Sequence, residues 1–589
     1  MEVFAAGMRK ITGGAATAAG VITALLALCI GLRCVQPSAA VLADSGYAGS
    51  PACAKCHPSI YESFSRTDMG RSMSAITPAV LGPLPTSAEV LESQFDRHFS
   101  LAATGGKLYQ SEYQATPDGK EIFRSTHQIE WLIGAGANGI GAIVRRGDFL
   151  FEAPLSFYTK ADRWGLSPGY EFGDYGFDRP ILPGCIACHS GEPRPVEGGN
   201  GKFEQPPFAE VAIGCENCHG PGQTHIAEME MGSAEAGGAA ITNPAKLSPW
   251  LADNICMSCH QAGDARVLRP GKQYRDFHPG EELDNTVGIF LVPFGPESAP
   301  KDDLLEHYLS MRLSKCYRAS AGKLACINCH DPHVQPTPQE APAYFRNKCL
   351  TCHTEKSCAL PVSLRQHQMP PDDCAGCHMP KREVKVISHS VLTNHRILAE
   401  AEEPFPDAAF HMTTPQLPDL VHLSANPAAR QAPSPLTLLQ AYGQVMLSHP
   451  SYRERYWAVA QQLQATQPDN VFVQQALADR ALQSKNSEQA VRYLEGAVHQ
   501  GSTSPADFEQ LARLLIAGNQ ASQAVTVLRQ GMTVAPYDAE LYRLGVRAYL
   551  LMNQKKAACD LAGRAMENFP QDGGIRRVLN ECNQVPPAP

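Results

Sequence analysis

A five-residue signature, Cys-x-x-Cys-His, occurs seven times in this chain, and no other feature restricts its fold as strongly. The copies are Cys53-Ala-Lys-Cys56-His57, Cys185-Ile-Ala-Cys188-His189, Cys215-Glu-Asn-Cys218-His219, Cys256-Met-Ser-Cys259-His260, Cys326-Ile-Asn-Cys329-His330, Cys349-Leu-Thr-Cys352-His353 and Cys374-Ala-Gly-Cys377-His378. Two thiols one helical turn apart, with an imidazole directly behind the second, are what covalent haem attachment demands. The sulfurs add across the porphyrin vinyl groups, and the histidine reaches the iron as its proximal ligand. Zinc also uses Cys-x-x-Cys pairs, but a structural zinc has no need of a histidine locked to the second thiol. Every such pair here carries one. The expectation is seven covalently bound haem c groups.

At 589 residues the chain has room for several domains. The first 43 residues read as an export signal. Arg9 and Lys10 precede an uncharged apolar run from Ile11 to Leu32, and Val41-Leu42-Ala43 offers small residues for cleavage. The run is also long enough to serve as an uncleaved membrane anchor. Either way the expected location is periplasmic or otherwise extracytoplasmic, where disulfides survive. Of the 20 cysteines, Cys29 and Cys34 fall in this segment. Outside the motifs that leaves Cys316, Cys358, Cys559 and Cys582, which suggest bridges Cys316–Cys358 and Cys559–Cys582. The net charge of -9 argues against nucleic acid as a partner.

Residues 44–400 carry all seven motifs and are rich in Pro and Gly, as suits a loop-rich fold wrapped around porphyrins. Within them, residues 95–157 alternate polar and apolar side chains, as in Lys107-Leu-Tyr-Gln-Ser-Glu-Tyr113. Turns are expected at Pro117-Asp118-Gly119 and Arg146-Gly147-Asp148. This predicts a small antiparallel sheet inserted between the first two motifs. Residues 401–433 are Pro-rich and read as a linker.

From 434 to 585 the chain repeats with a 34-residue step. Ala490 aligns with Ala524 and Ala558, Leu494 with Leu528 and Ala562, and Ala497 with Gly531 and Ala565. Pro468 aligns with Ser502, Pro536 and Pro570. That is the tetratricopeptide (TPR) period, with small residues where paired helices touch. A first, degenerate repeat places Tyr456 where the others have Ala. The fold expected overall is mainly α: a loop-rich multihaem domain with a small β insertion, then an α-solenoid. TPR arrays bind peptides or partner proteins in a groove.

Several stretches resemble the multihaem cytochromes of the cytochrome c-554 family. They are Cys215-Glu-Asn-Cys218-His219-Gly-Pro-Gly222 with His225, Cys329-His330-Asp-Pro-His333, Cys377-His378-Met-Pro-Lys381 with Thr393-Asn-His395-Arg-Ile397, Ser167-Pro-Gly-Tyr170 and Cys56-His57-Pro-x-x-Tyr61. The resemblance covers roughly residues 50–400 and implies a stacked-haem electron carrier. Where that family often has a distal histidine after the first motif, this chain has Met69 and Met73.

Sixth ligands should come from outside the motifs. His225, His333, His389 and His395 are the leading candidates, and His127 is a further one. His333 is too close to His330 to cap the same iron, so a neighbouring iron is expected. Met69, ahead of Met73, is a candidate that would raise the potential of the first haem. The seventh position is open among His278, His367 and Met311, or is left free. The leading functional expectation is an exported electron-transfer protein with redox partner proteins and a protein docked at the TPR groove. The alternative is an oxidoreductase acting on a small nitrogen or sulfur oxyanion at an open haem.

Overall fold

The computed structural model describes residues 46–298, 306–381, 393–400, 402–410, 419–428 and 432–583. The expected export segment and His389 therefore lie outside the described residues. Among the described residues, no helix is long and apolar enough to cross a membrane.

The β insertion is larger than its alternating core suggests. Nine strands form one antiparallel sheet: β1 (Met73–Ala75), β2 (Ser87–Glu92), β3 (Arg97–Thr104), β4 (Lys107–Ala115), β5 (Glu121–Ile133), β6 (Gly139–Arg146), β7 (Phe149–Glu152), β8 (Leu155–Tyr158) and β9 (Arg163–Leu166). Their order is β2-β3-β4-β5-β6-β8-β9, with β1 on β5 and β7 on β6. The sheet curls until β9 returns beside β2, and Trp164 Nε1 donates to the Pro85 carbonyl at 2.8 Å across that seam. Leu108, Ile129, Val144, Phe151, Leu155 and Trp164 fill the interior. Both expected turns are present, with Gly119 and Gly147 at φ 83° and 61°, and Gly105-Gly106 makes a third tight hairpin at φ 59° and 75°. The expectation of a small sheet over 95–157 is corrected to a nearly closed unit over 73–166. The additional strands pair with partners far away in sequence, which local periodicity does not register.

The TPR reading holds in the helix geometry. Helices pair as Pro435–Ser448 with Arg453–Gln464, Val471–Gln483 with Ser487–His499, Pro505–Ala517 with Ala521–Val534, and Ala539–Leu551 with Lys555–Asn568; Gly573–Asn583 caps the end. Ala490, Ala524, Ala558, Ala497 and Ala565 are fully buried where helices meet. A Cβ on Gly531 would sit 2.9 Å from that of Phe508, so the column must stay small. The repeat also shows in the backbone. Lys485, Asn519 and Asn553 all take left-handed φ, 57–58°, at the turn inside successive repeats. Behind each turn the following amide donates five residues back: Asn486 to Ala481, Gln520 to Leu515 and Gln554 to Tyr549. In the first repeat a 3-10 turn, Pro450–Tyr452, takes that place. Gly443 makes room for the Tyr456 ring, 3.2 Å from where its Cβ would be.

The array is not a free arm. At its start, Leu436, Leu439, Tyr442 and Val445 share a core with Ala265, Val267 and Phe290. These three belong to a second sheet of β12 (Ala265–Leu268), β13 (Val287–Leu291) and β14 (Val421–His422); β10 (Gly191–Pro195) and β11 (Phe203–Glu210) form a separate hairpin. The segment expected to be a linker thus supplies a strand, and Leu423 and Ser424 behind it are fully buried. At the far end, Tyr537 packs edge-on against Phe149 and Phe151 at 5.5 and 5.0 Å. Arg146 donates to the Asn568 carbonyl at 3.0 Å, and Gln571 donates to Asp178 at 2.7 Å. The solenoid bridges the two sheets.

Cys559 and Cys582 form the expected disulfide, with Cα atoms 5.9 Å apart. Cys316 and Cys358 do not pair. Cys316 instead lies near enough to Cys329 and Cys352 to raise the Cys329 thiol, behind burial as the larger cause.

Candidate functional site

Each motif is built as a local turn, because four residues cannot place two thiols on one side otherwise. The His57, His219, His330 and His353 amides donate to the first cysteine's carbonyl of their own motifs at 2.9–3.0 Å. The fourth motif closes the helix Pro249–His260, whose Ser248 cap accepts from the Leu251 amide. The seventh is the helix Cys374–His378, capped by Asp373. Cysteine is among the residue types most often fully buried, yet none of the fourteen motif cysteines is; Cys56, Cys185, Cys259, Cys352 and Cys377 are exposed. The fold also brings motifs together. The thiols of Cys53 and Cys215 lie near enough to perturb each other, as do those of Cys188 and Cys259 and of Cys256 and Cys326.

Two carboxylates fasten the first motif to the third. Glu216, inside the third motif and buried, accepts from the amides of Ala48, Gly49 and Gly222 at 2.7–2.8 Å. Glu210 accepts from the Ser50 amide and hydroxyl, and the same hydroxyl accepts from the Cys215 amide at 3.0 Å. A closed ring of charge ties the sixth motif to the seventh. Arg346 pairs with Glu355 and with Asp372 at 2.6 Å, and Arg365 pairs with the same two carboxylates at 2.6 and 2.9 Å. The stretch these ties hold has almost no apolar interior. From 314 to 381, Ala325 is the one fully buried apolar side chain.

An imidazole nitrogen sits about 2 Å from the metal it binds and its ring centroid ~1 Å farther back, so two imidazoles on opposite sides of one iron have centroids about 6 Å apart. Two pairs have that spacing. His219 of the third motif faces His333 at 6.0 Å with planes 14° apart. His330 of the fifth motif faces His395 at 6.1 Å and 31°. The remaining nitrogens are held as a ligand's must be. Nδ1 of His219, His225, His378 and His395 hydrogen-bonds the carbonyls of Thr242, Gly237, Leu398 and Thr393 at 2.6–2.8 Å. That of His333 meets Asp331 at 3.1 Å. Such bonds fix the tautomer that leaves Nε2 for a metal. Burial holds His219 and His395 below the ordinary imidazole range and takes His330 down to about 4. They are therefore neutral near pH 7, the state a ligand requires. Paired thiols on cysteines that are not fully buried, followed by oriented imidazoles, fit covalently attached haem.

The other candidates have different surroundings. His127 lies on β5 with Nε2 bonded to Ser125 at 3.0 Å and its ring 4.4 Å from Phe177. It is corrected from ligand to satisfied sheet residue, with burial and Arg146 pushing it down to about 4. Met73 is buried on β1 among Ile143, Leu150 and Phe208, and Met311 is buried beside Met257 and Tyr308. Both are core. Met69 is half-buried in a turn beside the His333 segment, where Asp68 and Gln335 exchange hydrogen bonds. His278 and His367 are exposed, and His367 Nδ1 is bonded to the Ser363 carbonyl. Among the described residues, no group of three or more His, Cys, Asp or Glu side chains is arranged to hold a bare metal ion.

No family model matches the chain, and no curated protein matches it. Solved structures similar to it include YrrB, titled a TPR protein with an unusual peptide-binding site (14% identity, 25% of this chain, 75% of that one, TM-score 0.23). Others are MamA (13%, 24% and 82%, TM-score 0.22) and the TPR domain of Arabidopsis OM64 (15%, 19% and 94%, TM-score 0.18). By its own geometry the chain joins a curled antiparallel sheet, a motif-bearing region and a TPR array.

Proposed function

We propose that the protein is an exported multihaem c-type cytochrome that passes electrons along closely spaced haems and docks a partner protein through its TPR array. Covalently bound haem would supply one-electron chemistry at iron. The chain's residues have four tasks in this reading. Fourteen cysteines would anchor the porphyrins, and the seven motif histidines would bind iron. His333 and His395 would be further ligands at the third and fifth motifs. Glu216, Glu210 and the Arg346–Glu355–Arg365–Asp372 ring would set the distances between motifs, and so between haems. The observation that carries the proposal is the spacing of His219 with His333 and of His330 with His395, on motifs none of whose cysteines is fully buried. The resemblance of residues 50–400 to the cytochrome c-554 family supports the same assignment.

The test is intact-mass measurement of protein from a host that matures c-type cytochromes. Seven covalent haems per chain are expected, after allowance for any leader removal. Protein from that host carrying zinc and no haem sinks the reading.

A further inference from the structure

The stretch between the fourth and fifth motifs carries His307, which the sequence did not single out. It opens the helix His307–Leu313, and both of its flanks are tied to motif-bearing segments. Glu306, immediately before it, accepts from the Gln261 side chain and from the Gly263 amide at 2.9 Å, just behind His260. Three residues on, Ser310 donates to Asn394 at 3.1 Å, one residue before His395. Tyr308 and Met311 are buried against Met257 of the fourth motif. The ring is thereby delivered into a cluster of imidazoles. Its centroid lies 5.6 Å from that of His260 and 4.7 Å from that of His395, which itself faces His330 at 6.1 Å.

We propose that His307 is an axial ligand at one of the two irons held by the fourth and fifth motifs, so that His260, His307, His330 and His395 make up two complete axial sets. The assignment rests on the haem reading above and extends it to a residue outside the motifs. The Glu306 and Ser310 ties gather four imidazoles whose successive centroids lie 5.6, 4.7 and 6.1 Å apart, a set that two irons would use in full. With the rings of His307 and His395 in contact, the two ligand sets touch, and this places the fourth and fifth motifs at adjacent steps of the electron path.

The experiment uses the full haem-loaded chain with His307→Ala and His307→Met, read by intact mass, low-temperature EPR and redox titration. Haem attachment goes through thioethers, so both variants should keep seven covalent haems. His307→Ala should lose one low-spin ferric signal and gain one high-spin signal, and added imidazole should restore the low-spin form. His307→Met should keep that haem low-spin with a raised midpoint potential. Wild-type spectra and potentials in both variants, at full haem count, assign His307 to packing and overturn the proposal while leaving the haem reading intact. Wild-type protein without haem overturns the haem reading itself.

Discussion

Replacing Cys559 and Cys582 by serine tests how the solenoid ends. The last helix, Gly573–Asn583, packs on Lys555–Asn568, reaches the sheet through Arg576 over Phe123 at 5.3 Å, and has Ile575 as its one fully buried side chain. A solenoid depends on nearest-neighbour packing, so a terminal helix with one buried anchor is its weakest element. The disulfide closes a loop with a sequence separation of 23. In the chain-entropy treatment, closing such a loop removes enough freedom from the opened state to be worth about 3.4 kcal/mol, a roughly 300-fold change in an opening equilibrium. Hydrogen exchange followed by mass spectrometry resolves this locally, without assuming that so large a chain unfolds in one step. In the double serine variant, amides of Gly573–Asn583 should lose protection by two to three orders of magnitude. Those of Pro505–Ala517, two repeats away, should be unchanged. Equal protection of the cap with and without the bridge refutes the argument, because the cap would then be held by packing alone. Native labelling of both cysteines by a thiol reagent would refute it sooner.

Tyr537→Ala removes two edge-to-face aromatic contacts and the Arg146 guanidinium lying 4.1 Å over the ring, together worth about 3 kcal/mol. Spin labels at exposed Lys120 and Glu567 should report a narrow distance distribution in the wild type and a broad one in the variant. Indistinguishable distributions would show that the sheet and the last repeat are not locked by this contact. Burial pushes Asp178 up to about 6 against the opposing effects of Arg146 and Gln571. Between pH ~4 and ~6 the folded chain therefore retains a proton that the unfolded chain has released, and stability falls as pH rises through that window. Relative to Asp178→Asn, the wild type should lose up to about 3 kcal/mol across it and nothing further above. A pH-independent difference between the two proteins would count against the burial argument.

What could be read from the sequence divides along the range of the interactions involved. The motifs and the TPR period are local or periodic, and the columns Ala490/Ala524/Ala558 and Ala497/Gly531/Ala565 are buried as their spacing requires. The Cys559–Cys582 bridge followed from the same periodicity, since an antiparallel helix pair brings its outer ends together. Pairings set over long distances were not legible. Met73 joins Ile133 to extend the sheet, and Val421 and His422 add a strand beside Leu291 and Phe290 from within a Pro-rich stretch. Neither segment is long enough to show a period. The same limit applies to the histidines. Alternation places His127 on a strand, but Phe177 and Arg146, which decide its surroundings, come from other parts of the chain. His307 has no neighbouring signature, and only the ties from Glu306 to Gln261 and from Ser310 to Asn394 bring it to His260 and His395.

The distribution of apolar core bears on why the solenoid is attached at both ends. The curled sheet and the TPR array each have an interior of their own, while residues 314–381, with three motifs, have Ala325 and a ring of four charges. Ordering a stretch of that length costs on the order of 1 kcal/mol or more per residue, and neither one alanine nor an ion-pair ring offsets this. On the proposed reading, the porphyrins supply the missing apolar surface, so the order of this stretch depends on what is attached to it. Such a region cannot brace its neighbours. The array, joined to the second sheet through Leu439 and Val445 and to the first through Tyr537, gives the two sheets a connection that does not run through it.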